Sequence, residues 1–211
     1  MRVVKDAKER RNEILDAAEE LFGTKGFDHT STNDILERVG IARGTLYYHF
    51  KSKEEILDAM IHRMTEQLMA KAAQIAGQPE LPVLERLTGA VMALNVDSGI
   101  GHEVMQQVHK PQNALMHQKM QEELLAGIVP ILTELLEEGS RQGICRTDYP
   151  AEAIEMTMLY ANTMFDAQIE QTPERKQRRI EAFIHHTELL LGAKESALRE
   201  AIMKIFEGEP M

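Results

Sequence analysis

The sequence holds one cysteine, Cys145, and no tryptophan. A single thiol cannot close a disulfide within the chain, and 211 residues are enough to bury a core without one. Glycine (13) and proline (7) are scarce and fall between periodic segments, so they act as punctuation rather than as loop filler. No apolar run approaches the eighteen or so residues of a membrane helix, so no helical span and no membrane partner are expected. The charged start, Met1-Arg2-Val3-Val4-Lys5-Asp6-Ala7-Lys8, has no apolar stretch behind it. No secretory signal is therefore expected, and the expected compartment is the cytoplasm. Strand-like alternation is missing too, which leaves helical periodicity as the organising pattern. Gly-rich phosphate loops, a nucleophile elbow and a His pair beside a glutamate are also lacking. No catalytic centre, cofactor or metal site is expected.

Positive charge is in deficit: the net charge is −10. It is unevenly spread. Residues 1–55 carry 10 Lys/Arg against 11 Asp/Glu, and the remainder carries 14 against 23. The larger part of the chain would repel a polyanion, while the first part is nearly neutral. A neutral segment can still hold phosphate if its cations share one face, because charge attraction fades over about 8–10 Å.

What the chain does have is amphipathic helix, about ten segments of it. The first is expected from Asp6 to Phe22, carrying Ile14, Leu15, Ala18, Leu21 and Phe22 on one side and ended by Gly23 and Gly26. Ser31 and Asp34 have the spacing of a capping box, which starts a short helix over 32–39 that Gly40 stops. Another short helix spans 43–49. Ser52 and Glu55 form a second capping box, opening a long helix over 52–76. After the breaker at 77–82, helices are expected at 83–97, 100–109, 112–141, 150–170, 173–191 and 194–206. Pro111, Pro150 and Pro173 suit first turns, and Pro130, inside the 112–141 segment, is expected to kink it, eased by Gly127.

Two short helices joined by a Gly-Ile turn are the informative feature. Ile35, Leu36, Val39, Ile41, Leu46 and Phe50 supply a side to bury. Arg43, Thr45, Tyr47, Tyr48 and His49 are left over, and all can donate hydrogen bonds. Gly44 allows close backbone approach, and Lys51 and Lys53 can hold phosphate. That is the pattern of a helix-turn-helix, whose second helix must fit a groove about 12 Å wide. The run from Ile14-Leu15-Asp16-Ala17-Ala18 through Leu21-Phe22, Gly26-Phe27, Thr30-Ser31-Thr32-Asn33-Asp34-Ile35 and Val39-Gly40-Ile41-Ala42-Arg43-Gly44-Thr45-Leu46-Tyr47-Tyr48-His49-Phe50-Lys51-Ser52-Lys53 resembles the N-terminal domain of the tetracycline-repressor (TetR) family. The resemblance covers about residues 8–57. It departs from the family at Leu36-Glu37, where a small residue is more usual.

The resemblance implies an all-α protein with a three-helix DNA-binding head (1–51) and a larger helical body (52–211) for ligand binding and dimerisation. It implies a homodimeric repressor on a double-stranded DNA operator, released by a small-molecule effector. Carried over by position, the family's DNA contacts fall on Thr32, Asn33, Arg43, Gly44, Thr45, Tyr47, Tyr48, His49 and Lys53. The body is rich in methionine. Met92, Met105, His109, Met116, Met120, Met156, Tyr160 and Met164 are the expected lining of a mainly apolar effector pocket. For the dimer, the segment 173–191 offers Ile180, Phe183, Ile184, Thr187, Leu190 and Leu191, and its predecessor offers Ile154, Met158, Ala161, Phe165 and Ile169. Two copies would make a four-helix bundle, and a two-fold dimer calls for a near-palindromic operator.

Overall fold

The computed structural model describes residues 6–94, 113–165 and 172–207. Among them there are nine helices: α1 (Ala7–Lys25), α2 (Thr32–Val39), α3 (Arg43–His49), α4 (Lys53–Ala76), α5 (Val83–Met92), α6 (Ala114–Arg141), α7 (Pro150–Met164), α8 (Pro173–Leu190) and α9 (Arg199–Glu207). The all-α expectation holds for these residues. The segment expected to be helical over 100–109, with His109, Met105 and Pro111, lies outside them, as does Ile169.

The chain forms two compact units. The described part of the first contains α1–α3, residues 53–66 of α4, Asn113 and residues 114–123 at the start of α6. Its buried side chains repeat the helical spacing read from the sequence: Ile14, Leu15, Ala18 and Phe22 on α1, Ile35 on α2, Leu46 on α3, and Ile56, Leu57, Met60 and Ile61 on α4. Fully burying each large apolar side chain stabilises by about 1.5–3 kcal/mol. Phe22 and Phe27 pack edge to face at 5.2 Å. Leu36, Val39 and Ile41, expected in this core, are only half-buried. With α2 and α3 so short, one residue on each (Ile35, Leu46) takes the fully inward position. Helix α1 also runs through Gly23, which is itself buried, and ends only at Gly26. A helical glycine costs about 1 kcal/mol, too little to stop a helix held by its packed face. Gly26, with φ 88°, is the residue that leaves the helix.

The second unit gathers Ala72, Val83, Ala90, Ile128, Leu132, Leu135, Leu136, Ala153, Ile154, Ile180, Ile184, Leu191, Leu198 and Ile202 into one core. α6 continues through Pro130, whose ring removes one intrahelical donor. Gly127 has a role the sequence did not suggest: a Cβ there would lie 2.6 Å from Met69 Sδ, so the glycine leaves room for the Met69 side chain of α4. Arg86, 6% exposed, is a buried cation whose three nitrogens each have a partner. Its Nε donates to Leu81 O (3.1 Å), one terminal nitrogen to Ala76 O (3.2 Å), and the other to the Glu138 carboxylate. It thus satisfies a carbonyl at the end of α4 that the helix leaves unpaired. α9 starts at Arg199, five residues later than the pattern suggests. Buried Glu188 takes the backbone N–H groups of Ser196 (3.0 Å) and Leu198 (2.9 Å), and Ser196 has φ 62°. That carboxylate holds 194–198 as a turn.

Candidate nucleic-acid interface

The reading head is built from its caps upward. Ser31 Oγ accepts the N–H of Asp34 (3.2 Å), and the Asp34 carboxylate accepts the N–H of Ser31 (2.8 Å), so the expected capping box is formed. Lys25 reaches the same carboxylate at 2.7 Å. Lys25 first, then the Ser31 hydroxyl and N–H, hold Asp34 far below the usual carboxylate range. A depressed pKa in the folded state stabilises the fold above the ordinary value near 4, and this is lost as pH falls below it. In acid titration followed by helicity, Asp34→Asn should therefore flatten the loss below about pH 4 relative to the unmodified protein, and an unchanged profile would refute the assignment.

α2 ends at Gly40, whose φ of 72° is the left-handed cap that turns the chain. Its N–H and that of Ile41 both return to Leu36 O, at 2.9 and 3.2 Å. Ala42 is extended, and its carbonyl accepts from Thr45 and Leu46 to start α3. Leu46, 1% exposed, pins α3 to the core, and the rest of the helix is turned outward. Tyr48 is 78% exposed and Tyr47 43%. Arg43 and Gly44 are exposed, and Thr45 and His49 half-buried. The space beside Gly44 is open to 4 Å. The Arg43 guanidinium lies 5.9 Å from the Tyr47 ring centroid, and Tyr48 meets His49 edge to face at 5.0 Å. At the start of α2, Asn33 is exposed and Thr32 half-buried.

Lys53 is placed differently from a free surface lysine. Its Nζ donates to Phe27 O at 2.7 Å and sits 4.1 Å from the Phe27 ring centroid. The Phe27 N–H donates in turn to Asn113 Oδ1 at 3.1 Å, with Asn113 fully buried. The α1–α2 turn is thus held from both sides of one residue. Two further links join α4 to the start of α6: Lys119 with Asp58 (2.6 Å) and the Thr65 hydroxyl with Glu123 (2.6 Å). Nothing in the local pattern around Asn113 signalled this, because its partner is 86 residues away.

The residues expected to line an effector pocket are distributed. Met116 and Met120 are buried in the first unit (0% and 1% exposed). Met92 and Met164 are half-buried in the second, while Met156 and Tyr160 there are 58% and 42% exposed. Met105 and His109 fall outside the described residues. His117 pairs with Gln121 at 3.1 Å, and no cluster of metal-binding side chains occurs among the described residues. Cys145 is buried with its Sγ 3.5 Å from Leu136 O, and burial pushes its thiol pKa up. A thiol so placed stays protonated and unreactive. No helix among the described residues is long and apolar enough to cross a membrane.

A short outward-facing helix, fixed by one buried leucine and preceded by a left-handed glycine turn, defines a helix-turn-helix head. Comparison with known proteins agrees. Residues 14–60 match the model of bacterial regulatory proteins of the tetR family, and residues 97–183 that of the tetracyclin repressor-like C-terminal domain. The HTH-type transcriptional repressor KstR2 of Mycobacterium tuberculosis is 38% identical over 92 residues, which is 44% of this chain and 46% of that protein. The chain thus spans a little under half the length of that relative. The uncharacterized HTH-type transcriptional regulator TtgW of Pseudomonas putida is 32% identical over 108 residues, 51% of this chain and 69% of that one. The crystal structure of RolR in complex with resorcinol superposes with a TM-score of 0.62 at 18% identity, over 93% of this chain and 94% of that one, and shows the same fold. The chain belongs to the TetR family of bacterial regulatory proteins.

Proposed function

We propose that this protein is a ligand-responsive transcription regulator, a repressor that binds a near-palindromic operator as a homodimer and is released by a small molecule. The observation that carries the reading is the outward face of α3, where Arg43, Thr45, Tyr47 and Tyr48 surround a glycine with open space beside it. Arg43 is the residue for a guanine edge, because a guanidinium matches its O6 and N7 bidentately. Thr32, Asn33, Tyr47, Tyr48 and His49 would reach phosphate or base edges, Gly44 would give the backbone room, and Lys53 would serve phosphate with the donors that Phe27 O leaves over. The test is operator selection from a random duplex pool, followed by binding of Arg43→Ala. Discrimination at one base-pair position should fall by about 1–3 kcal/mol, or roughly 5- to 150-fold. Failure to enrich any sequence, or full discrimination without Arg43, would refute the reading.

For the dimer, α7 and α8 each present a face left open in one protomer. Met156, Leu159 and Tyr160 are exposed at helical spacing on α7, and Leu189 and Leu190 on α8. These residues suit a four-helix interface better than an effector wall, so we assign Met156 and Tyr160 there. Phe183, also expected at the interface, is half-buried and packs on Tyr160, Phe165 and Phe206 at 5.5–5.9 Å. Of the methionines expected to meet an apolar effector, Met92 and Met164 are the ones half-buried in the second unit, and an effector site in the body would draw on them. α4 and α6 are each unbroken helices that contribute residues to both units, and in the first unit Lys53 of α4 and Asn113, the residue before α6, hold Phe27. A shift of either helix would be felt at the turn that enters α2. An effector releases DNA only if it binds the DNA-free form more tightly, and DNA must then weaken effector binding by the same factor.

A further inference from the structure

Five cations of the first unit are paired with carboxylates. Arg10, Lys25, Arg38, Arg63 and Lys119 lie 2.5–2.8 Å from carboxylates: Glu13, Asp34, Glu20, Asp16 with Glu19, and Asp58. A cation so paired has much of its charge already answered. Arg11 is not among them. It is exposed, no carboxylate among the described residues is within ion-pair distance of it, and its guanidinium sits 4.9 Å from the centroid of the Phe50 ring. Phe50 is the residue that ends α3 and is 2% exposed, so the guanidinium lies over a ring that cannot move away. The stack holds a positive charge at one end of the recognition helix, and Arg43 provides the charge at the other. Lys51, one residue past Phe50, is a further exposed and unpaired cation among the described residues.

The dimensions fit a duplex. Seven residues of α3 span about 10 Å, and the major groove is about 12 Å wide with a row of phosphates along each rim. A cation held beside the end of a helix in that groove is within reach of a rim phosphate. Arginine is also the better residue for the task, since its planar fork can stack on an aromatic face and still present donors to a phosphate. We propose that Arg11, on α1 and outside the helix-turn-helix itself, is a DNA-phosphate contact positioned by Phe50. The near-neutral charge of the first 55 residues then ceases to be an obstacle, because Arg11, Arg43 and Lys51 stay unpaired among the described residues while Arg10, Lys25 and Arg38 are answered by carboxylates.

The proposal rests on the DNA-binding reading above, and its test separates the two. The full-length protein is titrated onto a fluorescein-labelled duplex of arbitrary sequence and onto the selected operator over a range of KCl concentrations. Arg11→Gln should reduce the slope of log K against log salt by about 0.9 for each head engaged, on both duplexes alike, with the operator preference retained. Arg11→Lys should keep the wild-type slope, because it keeps the charge. Thermal melting of the variants monitors the cover that Arg11 gives Phe50. A wild-type slope in Arg11→Gln overturns the inference, whatever its melting point, and reduces Arg11 to a lid on Phe50. If the unmodified protein binds neither duplex in a salt-dependent way, the DNA-binding reading itself has failed. If it binds, and Arg43→Ala loses discrimination while Arg11→Gln keeps its slope, only the present inference has.

Discussion

Glutamates at Leu159 and Leu189 should give a folded monomer that binds the operator about 100-fold or more weakly. The two leucines are 52% and 64% exposed in the single chain, so neither charge enters the core of its own protomer. At a two-fold interface each substitution occurs twice, and the carboxylates would be buried without partners, which costs several kcal/mol per pair of charges. The operator effect follows from linkage. Two heads on one body turn the second half-site into an intramolecular encounter, and such avidity is worth about 10²–10⁴. Light scattering after size exclusion reports the mass, circular dichroism the fold, and anisotropy the affinity. Persisting dimers would place the interface elsewhere, and monomers with full operator affinity would refute the two-headed reading. Charging Phe183, which the bare sequence pattern favours, would be a poorer experiment, because that ring packs within its own protomer.

Gly192→Ala should destabilise the helical body by about 4 kcal/mol, a large share of the 5–15 kcal/mol that holds a typical domain together. Gly192 follows the end of α8 with φ 58°, where an L side chain is strained. A Cβ there would lie 2.0 Å from the carbonyl oxygen of Arg146. That oxygen cannot retreat easily, because the Arg146 N–H is bonded to Leu191 O at 2.8 Å. Strain of about 1–3 kcal/mol and overpacking of similar size act together. The matched control is Gly44→Ala, in open space on α3, which should leave stability unchanged or raise it by up to about 1 kcal/mol. Urea denaturation of the three proteins measures both. Equal midpoints would mean that the loop before α7 can move aside.

Much of the head was legible in the sequence because its signals are local. Ser31 and Asp34 are three residues apart, Gly40 sits where the chain must turn left-handed, and the bounds of α2 and α3 follow from those caps. Gly23 misled because a glycine within a packed helix looks like one that ends it. Legibility fell off with sequence separation. Lys53 on Phe27, Arg11 on Phe50 and Asn113 on Phe27 join residues 26, 39 and 86 positions apart, and no window contains both partners. Periodicity alone likewise could not assign the apolar residues of α7 and α8 to a core or an interface. Leu159 and Ile154 are equally apolar, and only the packing of neighbouring helices leaves one exposed and buries the other.

By itself, then, the sequence determined the all-helical character, the caps and glycine turn of the reading helix, and the polar set Arg43, Thr45, Tyr47, Tyr48 and His49 on it. These depend on hydrogen bonds and periodicity within a few residues. Tertiary structure alone decided which cations remain free for phosphate, which methionines are core, and which glycine has no room for a methyl group. Each of those is a question of what else occupies the neighbouring few ångströms, and that is set by elements distant in the chain.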